Sequence, residues 1–297
     1  MAERKKGATH RKTAPKRPVL AGRRQAEKAA QLLELHQGPS ILVLANVWDV
    51  ASARLVERAG FKAIATSSAA IANSLGYPDG QRVSREEMLA AVRRIAGKVQ
   101  LPVTADLEAG YGADPRDMTD TARELIAAGA VGLNLEDGAA DPRDPLVDAR
   151  VHADKVKRIR EAAEAHGLHV VINARTDVYL AEVGEPASRF EHAVDRANAY
   201  RKAGADCLFV PGVYDGETIR KLVEAIGGPV NVLAGPATPP IAELERLGAR
   251  RVSFGSWPAR AALGLFSRFA HELREKGTFT TLGDWAIPYA DLNALLT

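Results

Sequence analysis

LPVTADLEAGYG at residues 101–112 and VGLNLED at residues 131–137 are the stretches whose reading decides the fold. Each is a short apolar run that ends in carboxylates. Asp106 and Glu108 close the first, and Glu136 and Asp137 close the second. A helical span lies between them. Two strands joined by one helix run parallel. Acidic residues at their C-terminal ends therefore make a metal site at one end of a parallel sheet the first hypothesis.

Outward from this pair the same unit repeats. Strands are predicted at ILVLANVW (41–48), AIATSS (63–68), HVVINAR (169–175), CLFVPG (207–212), PVNVLA (229–234) and RVSFGS (251–256), each followed by a helical pattern. The strands are apolar along their length rather than alternating, as expected when helices cover a parallel sheet. Several helices stop at glycine (Gly60, Gly129, Gly204, Gly248), the residue type that ends helices in the left-handed conformation. Eight strand–helix units predict an α/β fold of the closed (β/α)8 TIM-barrel type. The GxGxxG that would favour an open dinucleotide-binding sheet is absent after the first strand.

The 297 residues suit one such barrel, and 46% hydrophobic with 26% charged residues is ordinary for a globular chain. No apolar run approaches the roughly 18 residues of a membrane span, and the charged N-terminus has no apolar segment of a signal peptide after it. One cysteine, Cys207, rules out an internal disulfide framework and fits a reducing cytoplasm. The net charge of +3 hides an asymmetry. Residues 1–24 carry nine Lys or Arg against Glu3, hence +8, leaving 31 basic and 36 acidic groups, −5, for the rest. The expected organisation is a disordered basic tail (1–24), then a barrel domain (25–297) with a C-terminal helical extension. The tail charges are not interleaved with aromatics, so no nucleic-acid partner is expected. The last 20 residues carry Trp285 and several leucines, an apolar surface suited to another subunit.

Barrel chemistry sits at the C-terminal ends of the strands. Asp106 and Glu108 are two apart on a strand and are expected to face the same way. With Glu136 they offer three hard oxygen donors and no His or Cys, which suits Mg2+ or Mn2+ and not zinc. Capping, or pairing with Arg116 or Arg175, is the alternative use of these acids. Arg175 can grip a substrate carboxylate with two parallel hydrogen bonds, or pair with Glu136 or Asp177 to hold the rim. Ser67 and Ser68 leave the second strand in a run of small residues, which either lets backbone N–H groups approach an anion or allows close packing. Cys207 opens a strand and reads as core. His152 is the one histidine that follows a rim strand closely.

ATSSAAIANSLGYPDG (65–80), ADLEAGYG (105–112), GLNLED (132–137) and NARTD (173–177) together resemble the isocitrate lyase/phosphoenolpyruvate mutase superfamily, in its order and spacing. The resemblance runs from about Leu35 to about Gly277. It implies a Mg2+-dependent barrel acting on a small 2-oxo or 2-hydroxy carboxylic acid through a pyruvate-type enolate. Asp106, Glu108 and Glu136 would be the metal acids, and Arg175 the group that binds substrate carboxylate or stabilises the enolate. Ser67 and Ser68 would bind the oxyacid, and Asp79 matches the catalytic loop aspartate. Tetramers with a swapped last helix would suit the segment from Trp257 to Thr297; a dimer is the other assembly considered.

Two departures stand out. Glu108 occupies a position that is usually Asp. The Lys-(Lys or Arg)-Cys-Gly-His loop of the lyases is missing, because GAADPRDPLVDARVHADK (138–155) stands there. The mutase Lys-x-Asn is missing as well. Arg143, Asp144, Asp148 and His152 are the groups of that segment available for proton transfer. The reading is thus a C–C lyase, decarboxylase-like or retro-aldol. C–P chemistry of the phosphonomutase or phosphonopyruvate hydrolase kind is the runner-up, and a metal- and keto-acid-binding pseudoenzyme is the alternative of another class.

Overall fold

The computed structural model describes residues 22–139, 141, 143–283 and 285–297. Of the tail expected over residues 1–24, residues 1–21 lie outside them, and residues 23 and 24 belong to a helix. Helix α1 (Arg23–Gln37) begins two residues before the expected Gln25.

Nine parallel strands form one sheet: β1 (Leu42–Leu44), β2 (Asn46–Val47), β3 (Ile64–Thr66), β4 (Val103–Asp106), β5 (Gly132–Glu136), β6 (Val171–Arg175), β7 (Cys207–Phe209), β8 (Val230–Leu233) and β9 (Arg251–Ser253). The first predicted strand is divided at Ala45. Its first half, β1, pairs with β9 and its second half, β2, pairs with β3. One stretch of chain thereby serves both neighbours and closes the barrel, as the tilt and stagger of barrel strands require.

The helices are α2 (Val50–Arg58), α3 (Ser68–Ser74), α4 (Arg85–Ala96), α5 (Met118–Ala127), α6 (Ala149–Ala165), α7 (Arg189–Lys202), α8 (Gly216–Ala225), α9 (Ile241–Arg246), α10 (Trp257–Lys276) and α11 (Tyr289–Leu296). Gly60, Gly129, Gly204 and Gly248 all have positive φ, as their place after a helix predicts. Sequence reasoning missed α3. The Ser67 hydroxyl accepts from the Ala70 N–H at 3.3 Å and starts a helix where the small-residue run reads as loop. None of the described helices is long and apolar enough to cross a membrane.

Pairing registers carry one inward-facing series around the barrel. Asp106, Asn134, Asn173 and Cys207 are in register, as are Phe209, Asn231, Arg251 and Leu42. Side chains two residues on share a face, so Glu136, Arg175 and Phe209 form the layer above, at the C-terminal rim. Helix α1 packs at the opposite end: Leu32 lies against Gly132, and His36 lies 3.4 Å from the Arg251 guanidinium. At the far end of the chain, α11 packs on α2, with the Arg54 guanidinium donating to the Leu295 carbonyl at 2.9 Å.

Candidate active site

Asp106 ends β4 and is buried. Its Oδ2 accepts from the Ser68 N–H at 3.1 Å and the Ser68 hydroxyl at 2.9 Å. Its Oδ1 accepts from the Asn134 amide at 3.3 Å. Ser68 is thus committed to Asp106, and Ser67 to its cap. Below, the Asn134 carbonyl accepts from Asn173 at 2.8 Å and from Arg251 at 3.0 Å. With two donors on its oxygen, Asn134 must present its NH2 to Asp106. Asn134, Asn173 and Arg251 form a buried support that the sequence does not advertise, since the three lie on separate strands.

Glu136 ends β5 and its Oε2 lies 2.8 Å from Arg175 Nη1. Arg175 ends β6, and its Nε and Nη2 donate to the two oxygens of Asp177 at 2.5 and 3.0 Å. The guanidinium stands 5.8 Å from the centre of the Phe209 ring, near enough for a cation–π contact. Two of its five N–H donors are hydrogen-bonded to Asp177, and Nη1 is ion-paired with Glu136. Burial opposes the charge on Arg175, but Glu136 and Asp177 more than offset it and raise its pKa. Glu136 is held above the usual carboxylate range, by burial first and then by Asp177, Asp106 and Glu108, against the pull of Arg175.

Glu108 stays within reach of the Asp106 charge, but its oxygens are engaged by a neighbouring loop. It follows the end of β4 with φ 49°, and this left-handed residue breaks the two-residue alternation. Its carbonyl still accepts from the Glu136 N–H at 2.9 Å, but its carboxylate turns to Gln81 and Tyr111. Burial and then the charge of Asp106 push it up to about 7. The next residues need glycine: a Cβ on Gly110, at φ 92°, would lie 2.6 Å from the Met118 sulfur. Asp79 lies in the exposed loop before Gln81 and accepts from its neighbour Gly80 at 3.0 Å.

Asp137, adjacent to Glu136, points away from the mouth. It is fully buried and accepts from the Tyr200 hydroxyl at 2.6 Å, Arg196 at 2.9 Å and the Asp177 N–H at 2.9 Å. Arg196 also donates to the Val147 carbonyl at 2.9 Å, so the segment after β5 is tied to α7. His152 is fully buried against Tyr200, ring centres 4.4 Å apart, and burial lowers its pKa to about 4. That placement removes it as a proton-transfer group at the mouth. Asp148 caps α6, and Arg143 pairs with Asp141 in the loop.

Among the described residues, no three acidic, His or Cys side chains converge in direct metal-ligand geometry. The chemistry of Asp106 and Glu136 nevertheless fits a hydrated divalent cation. They are oxygen-only donors on adjacent strands, the charge of Asp106 is among those that raise the proton affinity of Glu136, and Mg2+ keeps several waters between itself and protein carboxylates.

The family model described as Phosphoenolpyruvate phosphomutase matches residues 32–274. This chain belongs to the isocitrate lyase/phosphoenolpyruvate mutase superfamily. Among its relatives, an uncharacterised protein of Mycobacterium tuberculosis is 36% identical over 89% of this chain and 95% of its own length. The 2-methylisocitrate lyase of Aeropyrum pernix is 32% identical over 83% of this chain and 80% of its own. A crystal structure described as a putative lyase/mutase from Burkholderia cenocepacia J2315 superposes with a TM-score of 0.86 at 37% identity, covering 92% of this chain and 96% of that one. Relatives in this superfamily are enzymes, carbon–carbon lyases among them.

Proposed function

We propose that this superfamily member is a Mg2+-dependent carbon–carbon lyase acting on a small 2-oxo or 2-hydroxy carboxylic acid. The carrying observation is Arg175 seated 2.8 Å from Glu136 and oriented by two hydrogen bonds to Asp177, on the strand next to the one that ends in Glu136 and two from Asp106. A bound cation supplies charge stabilisation where negative charge develops on the substrate oxo oxygen. Asp106 and Glu136 would hold it, directly or through water. Arg175 binds the substrate carboxylate and faces the same developing charge. Asp177 holds the guanidinium through two hydrogen bonds, so little reorganisation accompanies binding.

Loss of CO2 from a 3-carboxy-2-oxo acid, or of a carbonyl fragment from a 4-hydroxy-2-oxo acid whose hydroxyl proton passes to a base, leaves the bonding electron pair in the enolate of a 2-oxo acid. A proton at C3 then completes the product. Decarboxylation has the smaller need for a general acid, in keeping with a post-β5 segment that lacks cysteine and with a His152 that is buried. Phe209 on β7, beside Arg175, and Leu233 on β8 belong to the inward series, and they offer an apolar side for a short alkyl substituent. The test is turnover of oxaloacetate, methylisocitrate, isocitrate and phosphonopyruvate with Mg2+, following pyruvate and glyoxylate. Pyruvate from oxaloacetate supports the reading, whereas turnover of phosphonopyruvate alone moves the assignment to C–P chemistry. Thermal stabilisation by oxalate with Mg2+ and no turnover of any of the four would identify a binding protein.

A further inference from the structure

The Glu108 carboxylate closes a ring of hydrogen bonds. Its Oε2 accepts from the Gln81 N–H, and its Oε1 accepts from the Tyr111 hydroxyl at 3.0 Å. The Tyr111 N–H donates to the Gln81 side-chain carbonyl at 2.8 Å. The ring joins the loop after α3 to the turn after β4. All three residues have left-handed backbones, with φ of 55° at Gln81, 49° at Glu108 and 58° at Tyr111. Among the described non-glycine residues only Glu182 shares this conformation. Each such residue costs on the order of 1 kcal/mol, and three together persist only where the surroundings over-determine them.

The turn is braced from behind. Lys155, buried on α6, donates to the carbonyls of Ala109 at 3.1 Å and Gly112 at 2.8 Å. Gln81, Tyr111 and Lys155 all line an open cleft of about 800 Å3 between the loops. Side-chain length decides the contact. An aspartate at 108 would end about 1.5 Å short of the loop, whereas glutamate reaches it.

We propose that Glu108 is a positioning residue. With Tyr111 it clasps the loop that carries Asp79 against the rim, and it leaves the cation to Asp106 and Glu136. The division of labour among the acids rests on the Mg2+ reading above; the clasp itself does not.

Two measurements on the full chain separate the roles: Mg2+ affinity by calorimetry, and amide hydrogen exchange at Gln81 by NMR. Glu108→Gln keeps the length and an acceptor, so Mg2+ affinity stays within about 3-fold of wild type, whereas Asp106→Asn loses at least about 30-fold. Glu108→Asp keeps the charge but loses the reach, and Tyr111→Phe loses one bond of the ring. Both should speed exchange at Gln81 about 10-fold or more. Loss of Mg2+ affinity in Glu108→Gln equal to that of Asp106→Asn would overturn the proposal, as would wild-type exchange at Gln81 in Glu108→Asp. A wild-type protein that binds no Mg2+ would sink the metal reading alone, because the exchange measurement needs no metal.

Discussion

Arg251 places its guanidinium 3.0 Å from the side-chain oxygen of Asn134, inside the barrel and fully buried. Its polar contacts there are with Asn134 and His36, and burial lowers its pKa. Among the described residues no carboxylate is ion-paired with this buried cation, so it depends on its acceptors. Asn134→Leu removes the main one and the donor to Asp106 together. The expected destabilisation is about 3 kcal/mol or more, read by urea denaturation. Arg251→Met should cost less than Asn134→Leu, since an apolar side chain then replaces the charge.

Arg175→Lys tests the rim. Lysine keeps the charge but cannot make the paired bonds to Asp177 while also reaching Glu136. Turnover should fall by about 100-fold or more, with the fold intact by circular dichroism. An Arg175→Lys enzyme with wild-type turnover would remove Arg175 from the chemistry.

Metal removal should be as damaging as loss of Asp106. Chelation by EDTA should abolish turnover, and added Mg2+ should restore it. Asp106→Ala should stay inactive at any Mg2+ concentration. Persistent activity of Asp106→Ala at the wild-type rate would show that the cation, if used, is held elsewhere.

Stability should fall in mild acid through the buried histidines. Burial, and then the Arg251 charge, lowers His36 to about 4; burial lowers His152 to about 4 as well. The unfolded chain takes up these protons near pH 6.5, before the folded protein does. Their contribution is therefore complete above pH 6.5 and is lost as pH falls from 6.5 towards 4. Each histidine contributes a slope of about 1.4 kcal/mol per pH unit within that window. The raised carboxyl of Glu108 acts in the opposite sense, so a variant comparison is needed. His36→Gln should lower the acid slope by one histidine's share in denaturation curves at pH 7 and 5.

Self-association should depend on the C-terminal region. Leu263 and Phe266 on α10, and Phe279, Trp285 and Tyr289 beyond it, are exposed in the single chain. An apolar surface of this kind is normally covered. Gel filtration with light scattering should show a homo-oligomer, and Phe266→Asp should shift it towards monomer. A wild-type monomer at micromolar concentration would contradict this.

The apolar strand runs, the helix-ending glycines and the repeated strand–helix unit determine the barrel. These signals are local: a strand buried on both faces needs a continuous apolar run, and a helix stop needs φ > 0 at the next residue. The positions of Asp106, Glu136 and Arg175 follow from the same logic, because residues at strand ends are placed by the strands. What tertiary structure alone decided is where side chains turn once the strand is over. Glu108 lies two residues beyond Asp106 and should share its face. Glu108 has a left-handed backbone, and its carboxylate oxygens are taken by Gln81 from another loop and by Tyr111. Asp137 likewise turns to Arg196 and Tyr200, 59 and 63 residues away. Asn134, Asn173 and Arg251 meet only because three strands are in register. Such contacts depend on long-range closure of the barrel, and no local pattern in the chain encodes them.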